Sequence, residues 1–534
     1  MKLKLKKISK HKFFVPFLVF LLTILPRIIN LFGYPYFEND EGVYVSQAWW
    51  LVNFGKLAPY TYWYDHAPFG WLVIGLWQKL TFGPFTFGFS LFSGRILMVL
   101  LAGLTNFFIY RILNFLTKSK KISFIACLIL ALSPLAIVYQ RRVLLDNIET
   151  FFLILCLWFF FKAKSKLLNV LLSALFFGLS FLSKESVIFL LPVMFYGLWL
   201  KVNKANRRFS LLIWFLTVFF LISLFPLIAL LKGEFFPSGW FGGSPHVSLI
   251  ETIGYQMGRG TGVSVWHPDS MFRMQIGRWF SKGFLIMFLG FWAVLINLGL
   301  NWKNKNARIL AFLSLFYFIF LARGGLVLEF YILPLLSLFV LNIAFALMVV
   351  KDSLGKRLKF LSTNFIFVTF ISLLSLFLIV QDLEIYTLKP AKKQLEAVSF
   401  IKANLNEDDF IIIDDFCFLD LRLSKNKDDK TFTNAEWFWK VEGDNEIRKD
   451  KLNEDWQNVD YILLSGEMRR KIVSGELPFV KEIFSKSVLV KDFPSEHKDE
   501  QGKIEDLSRR GDGWAALFKV EKPSFDDEGF SKFF

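Results

Sequence analysis

Asp40 and Glu41 close a short acidic run, Glu38-Asn39-Asp40-Glu41, set just beyond an apolar stretch, residues 13–32. A carboxylate in such a place can take a proton as a general base or ligate a metal ion. Further acids and cations recur beside later apolar runs: Asp65-His66, Arg95, Arg141-Arg142, Asp146, Lys184-Glu185, His267 and Tyr331. Arg and Lys can hold a phosphate. Charge next to lipid is expensive unless it is paired or used. The set points to a substrate that carries phosphate and enters from lipid.

Helices must carry these groups. The chain has 534 residues, 54% of them hydrophobic and 66 of them Phe. Eleven apolar runs stand out: 13–32, 93–116, 122–139, 146–161, 167–182, 186–200, 209–231, 283–300, 309–322, 326–350 and 360–380. A helix of roughly 20 apolar residues crosses a bilayer core. Most runs reach that length, and 146–161, 167–182, 186–200 and 309–322 fall short. The reading is an α-helical polytopic membrane protein with about 11 transmembrane helices.

Basic residues set its orientation. With the N-terminus in the cytoplasm, segments 1–12, 117–121, 162–166, 201–208, 301–308 and 351–359 lie inside. They hold 23 Lys and Arg against one acid, Asp352. The first outside loop, 33–92, has only Lys56 and Lys79 against four acids. This positive-inside pattern puts the candidate residues on the outer side. The chain then reads as a multi-pass protein of the plasma membrane whose C-terminal tail is extracytoplasmic.

The net charge of +17 divides into +25 over residues 1–380 and −8 over 381–534. The positive excess flanks the membrane, and no nucleic-acid motif is present. The Lys-rich start lacks a small-x-small cleavage site and reads as a retained signal-anchor. Three cysteines, Cys127, Cys156 and Cys417, show neither a disulfide framework nor metal spacing.

Two domains are expected: a membrane domain, 1–380, and a soluble outer domain, 381–534. The tail reads as a small α/β unit. It has a helix over 394–403, strands at 410–413, 461–464 and 515–518, and an exposed loop at 495–512. In the first outside loop, 42–54 and 68–80 are too short to span and fit interfacial helices. The second long outside loop, 232–282, carries His246 and His267. Gly258-Arg259-Gly260-Thr261-Gly262 is similar to a phosphate loop without its strand–helix context. No internal repeat is apparent.

Several motifs fall in an order that resembles a known family. They are Asn39-Asp40-Glu41-Gly42-Val43-Tyr44, Tyr64-Asp65-His66-Ala67-Pro68-Phe69, Ser93-Gly94-Arg95, Arg141-Arg142-Val143-Leu144-Leu145-Asp146, Gly178 to Glu185, and Tyr331-Ile332-Leu333-Pro334. Together they look like the GT-C superfamily of polytopic glycosyltransferases. Protein O-mannosyltransferases and the lipid A aminoarabinose transferase are the nearer likeness. The resemblance implies a polyprenyl-phosphate sugar donor and an acceptor outside the cytoplasm: protein, lipid or cell-envelope glycan. It implies Asp40 as the catalytic acid residue of the first loop, with Glu41 beside it. Where the family often has Lys-Pro-Pro, this chain has His66-Ala67-Pro68, so a titratable group replaces a fixed cation.

The expected chemistry is inverting glycosyl transfer. Asp40 would act as general base on the acceptor. Arg95, Arg142, Lys184 and His66 would stabilise the leaving lipid phosphate. Tyr64, Asp65, Asp146 and Tyr331 would line the cavity. No cofactor motif is present; a divalent cation held by Asp40, Asp146 and His267 would be Mg, Mn or Zn. Each residue also has a plainer reading. Asp40 suits a helix N-cap, Glu41 a helix dipole, Arg95 an interfacial anchor and His267 a loop. The other functions considered are a transporter or flippase of a lipid-linked saccharide and a membrane-anchored scaffold. A transporter would place its polar groups near the midplane rather than at one edge.

Overall fold

The computed structural model describes residues 2–58, 65–164, 166–241, 248–259, 265–354, 364–381, 383–425, 429–494 and 513–522, with the side chains of 2–12 and 354–371 left out. Helices occupy each of the apolar runs. They are α1 (Lys2–Ile28), α2 (Asn39–Phe54), α3 (Phe69–Leu80), α4 (Ser90–Thr117), α5 (Lys120–Ala131), α6 (Pro134–Arg141), α7 (Leu145–Phe161) and α8 (Leu167–Ser183). After them come α9 (Leu191–Lys201), α10 (Arg207–Leu231), α11 (Leu249–Gly258), α12 (Met271–Leu298), α13 (Lys305–Leu321), α14 (Leu333–Leu354) and α15 (Asn364–Val380).

By length and apolarity, four helical segments among the described residues can cross a membrane: α4, Lys204–Leu231, α12 and Glu329–Ser353. The expected span 122–139 is not one straight helix. It is α5 and α6, bent by 61°. Proline causes the break: Pro134 has no N–H to continue α5 but suits the first turn of a new helix. Ser133 caps that turn by accepting the Ala136 N–H. The span expected from 283 also differs, since α12 already starts at Met271. Gly283 is its one non-helical residue (φ −146°, ψ 39°), and a Cβ there would sit 2.8 Å from that of Leu135. The helix therefore kinks at the residue where α12 presses on α6. The two amphipathic segments of the first loop form α2 and α3, packed on each other.

The tail adds α16 (Glu384–Thr387), α17 (Ala391–Asn404) and α18 (Phe418–Arg422), and a five-stranded sheet. Its strands are β1 (Ile411–Ile413), β2 (Ala435–Trp437), β3 (Tyr461–Ser465), β4 (Ser487–Phe493) and β5 (Ala515–Val520), in the order β2-β1-β3-β5-β4. β1 runs parallel to β2 and β3, while β5 is antiparallel to β3 and β4. β2 and β4 are additions to the expected strands. The expected loop 495–512 lies outside the described residues.

The tail packs on the first loop. Gln394 on α17 accepts the Phe37 N–H (2.7 Å) and donates to the Phe37 carbonyl (3.0 Å). Asp420 on α18 accepts the Ser90 N–H and hydroxyl at the start of α4. The turn Asp415–Cys417 lies against α2 at Gly42, where a Cβ would sit 2.2 Å from the Asp415 carbonyl oxygen.

Candidate active site

The acidic run folds into the first turn of α2. Glu38 is its N-cap residue and Asn39, Asp40 and Glu41 follow. Adjacent helical residues point about 100° apart, so Asp40 and Glu41 cannot share surroundings. Glu41 is fully buried. Its Oε2 accepts Arg95 Nε (2.9 Å) and the Val143 N–H (3.0 Å), and its Oε1 accepts Arg95 Nη2 (2.6 Å). The remaining Arg95 hydrogens go to the carbonyls of Leu31, Pro35 and Tyr36. All five guanidinium donors are therefore taken. Arg95 has none left for a phosphate, and Glu41 Oε1 also accepts the Glu38 N–H at 3.4 Å. The two side chains are thus committed to each other and to the backbone around them.

Two further arginines are spent on the backbone. Arg141 gives its five hydrogens to the carbonyls of Pro26, Arg27, Ile29, Tyr34 and Ile385, and so closes the C-terminal end of α1. Arg27 caps α5 through the carbonyls of Leu130 and Ala131, and holds Gln140. Arg142 is different. Its Nη1 meets Glu38, its guanidinium stacks 4.7 Å from the Tyr36 ring, and its buried Nε has no acceptor.

Asp40 is half-buried and, among the described residues, has no hydrogen-bond or ion-pair partner. Burial raises its pKa, against the positive charges of Lys184, His66 and Arg259. Those groups come from three separate elements. Lys184, at the end of α8, donates to both oxygens of Asp146 (2.8 Å each) and lies 3.9 Å from the Tyr331 ring centre. His66 Nδ1 is 3.0 Å from Glu185, which also accepts the Ala67 N–H at 2.6 Å. Glu185 is held below the usual carboxylate range, because His66 and that N–H outweigh its burial. Asp65 accepts from Gln256 (3.4 Å), and its pKa rises by burial. Arg259 follows the end of α11. Tyr64 lies outside the described residues.

The expected metal set does not assemble. Asp146 is occupied by Lys184. His267 is largely exposed in the loop before α12, 3.6 Å from Asp269. Among the described residues no three His, Cys, Asp or Glu side chains are grouped to hold a metal ion.

Similarity searches support the same architecture. Residues 65–229 match the family model described as dolichyl-phosphate-mannose-protein mannosyltransferase. No curated protein sequence matches. Among solved structures, the chain resembles the archaeal oligosaccharyltransferase AglB from Archaeoglobus fulgidus, in complex with an inhibitory peptide and a dolichol-phosphate. The TM-score is 0.57 at 14% identity, over 96% of this chain and 74% of that one. It also resembles ArnT from Cupriavidus metallidurans bound to undecaprenyl phosphate, with a TM-score of 0.52 at 14% identity, over 94% of this chain and 97% of that one. The fold resembles those of these two solved structures. In this fold the start of α2, which carries Asp40, lies where the helical part meets the tail.

That junction holds acids that sequence reasoning missed. Asp414 and Asp415 follow β1, while Ser465 ends β3 and Glu467 comes just after it. The two strands are parallel neighbours, so these residues share one sheet edge. Ser465 donates to Asp414 at 2.5 Å. In the amide orientation its neighbours require, Asn39 donates to Asp415 Oδ2 (2.7 Å) and Asp414 Oδ1 (3.2 Å). The edge thus abuts the first turn of α2. Burial pushes Asp414 up to about 6 and Glu467 up to about 8, and neighbouring carboxylates including Asp40 add to both. The available signal was position: open α/β sheets place ligands at the carboxyl ends of their parallel strands. Arg259 belongs to the glycine-rich run, whose residues 260–262 lie outside the described residues.

Proposed function

We propose that this chain transfers a sugar from a polyprenyl-phosphate donor to an acceptor outside the cytoplasm, with inversion at the anomeric carbon and Asp40 as general base. One observation carries the reading. Of the carboxylates Glu38, Asp40, Glu41, Asp146 and Glu185, Asp40 alone has no hydrogen-bonded or ion-pair partner among the described residues. It is free to take a proton from an acceptor hydroxyl or amine. As the proton moves to Asp40, the acceptor atom bonds to the anomeric carbon and the bond to the phosphate oxygen breaks on the opposite face.

The leaving lipid phosphate needs positive charge. The spare Nε of Arg142, the third hydrogen of the Lys184 ammonium, His66 and Arg259 are the groups proposed to supply it. Glu41 and Arg95 act as the frame that holds the first turn of α2 and so sets the direction of Asp40. The proteins similar in fold bind dolichol-phosphate and undecaprenyl phosphate, which favours a lipid phosphate donor here. The proposed orientation puts α2, α3 and the tail outside the plasma membrane. The tail's acidic edge then forms the acceptor side of the site, and residues 1–380 and 381–534 act as two domains of one enzyme.

The test is direct. Purified protein is incubated with polyprenyl-phosphate sugars, and release of polyprenyl phosphate is measured. Release by the wild type and its loss in Asp40→Asn support the reading. Sugar-lipid movement across vesicles without release of lipid phosphate overturns it.

A further inference from the structure

A small cavity, about 140 Å³, lies between the starts of α8 and α10, with Lys166, Leu167, Asn206, Phe209 and Ser210 among its lining. The whole of α8, 17 residues or about 25 Å, separates Lys166 from Lys184, so the cavity is at the opposite end of the helices from the candidate active site. We propose that it holds the headgroup phosphate of an anionic phospholipid, whose acyl chain runs along the seam between α8 and α10.

Three features favour that occupant. The first is charge. Three turns meet at this edge: 162–168, 201–208 and 301–308. The Asn203 N–H donates to the Lys164 carbonyl at 3.2 Å, and Lys201 Nζ donates to Asn306 Oδ1 at 2.9 Å. The turns carry ten Lys and Arg and no Asp or Glu. The partners these cations do have are neutral. Lys162 lies 3.3 Å from the Trp158 ring centre, Arg207 4.7 Å from that of Trp199 and Arg308 4.8 Å from that of Trp302. The buried Nε of Arg207 has no acceptor among the described residues, and Lys164, Lys166, Lys204 and Arg208 are exposed. The edge therefore keeps its positive charge, which an anionic headgroup complements.

The second is shape. α8 and α10 start at the same edge and run side by side. Trp214 Nε1 donates to Ser173 Oγ at 3.4 Å, and further along a Cβ on Gly178 would lie 2.5 Å from the Leu221 side chain. Beside the cavity Leu168, Phe209 and Leu212 are each more than half exposed. A space sized for a headgroup thus continues into an apolar seam that suits an acyl chain.

The third is depth. Trp199 and Trp302 stand nearly half exposed at this edge. Tryptophan rings settle at the level of lipid headgroups. Arg207 and Arg308, stacked on those two rings, are therefore held where a lipid phosphate lies, which favours a lipid over a soluble anion.

The test uses the full chain in vesicles with photoactivatable phosphatidylglycerol or photoactivatable phosphatidylcholine, and maps adducts by peptide mass spectrometry. Phosphatidylglycerol adducts should exceed phosphatidylcholine adducts at 166–170 and 206–212. Lys166→Gln and Arg207→Gln should each lower them about fivefold, the effect of removing one charge near a lipid surface. Lys166 is exposed, so its variant should fold as the wild type does. Lys118→Gln removes an exposed charge in the turn after α4, at the same edge but outside the cavity, and should leave the adducts unchanged. Equal labelling by the two lipids, or an equal loss in Lys118→Gln, overturns the proposal, since either means diffuse attraction rather than a site. Labelling unchanged in the Lys166→Gln/Arg207→Gln double variant overturns it too. So does displacement of phosphatidylglycerol by trace polyprenyl phosphate, which would assign the cavity to the donor.

Discussion

Glu41 and Arg95 form a two-point ion pair with no solvent exposure on either side chain, through Nε to Oε2 at 2.9 Å and Nη2 to Oε1 at 2.6 Å. The pair pins the first turn of α2 to α4 and to the Val143 N–H before α7. Its neighbour Asp40 is thereby turned away from the core. Glu41, expected beside Asp40 at the site, is thus held in an ion pair on the other side of the helix.

Breaking that pair leaves one charge buried without a partner, which costs about 3–5 kcal/mol. Arg95→Met should therefore lower the midpoint of thermal unfolding sharply. Combining it with Glu41→Gln should restore part of the loss, because the stranded charge is gone. Additive losses in a double-mutant cycle would contradict the coupling.

Gly42 marks where the tail meets α2. A Cβ there would lie 2.2 Å from the Asp415 carbonyl oxygen and 2.6 Å from the Phe416 nitrogen, both backbone atoms. Gly42→Ala should cost about 1–3 kcal/mol of docking, as overpacking does. The readout is hydrogen exchange at 413–418, which should speed up while exchange in α7 stays slow. Unchanged exchange at 413–418 would mean the contact is not tight.

The helices were legible because length and apolarity are local properties, and α2 and α3 because their runs are too short to span. Asp40 and Glu41 stood out together. Nothing local could separate them, since their difference is a 100° turn about the helix and an arginine 54 residues away. Arg141 was ambiguous for the same reason: its acceptors are carbonyls at the end of α1 and at Ile385. The acids of the tail escaped notice because they approach Asp40 only when β1 and β3 pair. Short β2 reads Ala-Glu-Trp, and β4 is an exposed edge strand with two charges. Neither carries the period-2 burial that identifies a strand.

The acidic edge of the tail predicts a pH dependence. Asp414 is raised to about 6 by burial, with Ser465 and Arg470 opposing. Asp420 is raised to about 6 by burial, with Lys425 and Ser90 opposing, and Glu467 to about 8. An acid whose pKa is higher when folded stabilises the folded state below its unfolded pKa and loses that contribution as pH rises through the folded value. The docked tail should therefore be more stable at about pH 5 than at about pH 8. The thermal midpoint of the wild type should fall across that range more steeply than that of an Asp414→Asn/Glu467→Gln variant. Parallel profiles would contradict the assignment.

The central claim is that Asp40 takes the acceptor proton. Its most direct test is the turnover number for release of polyprenyl phosphate by Asp40→Asn, measured beside its thermal midpoint. General base catalysis contributes about 10²–10⁴-fold. The account predicts a loss of that size with folding intact, since no partner of Asp40 is stranded. Wild-type turnover by the folded variant would contradict it.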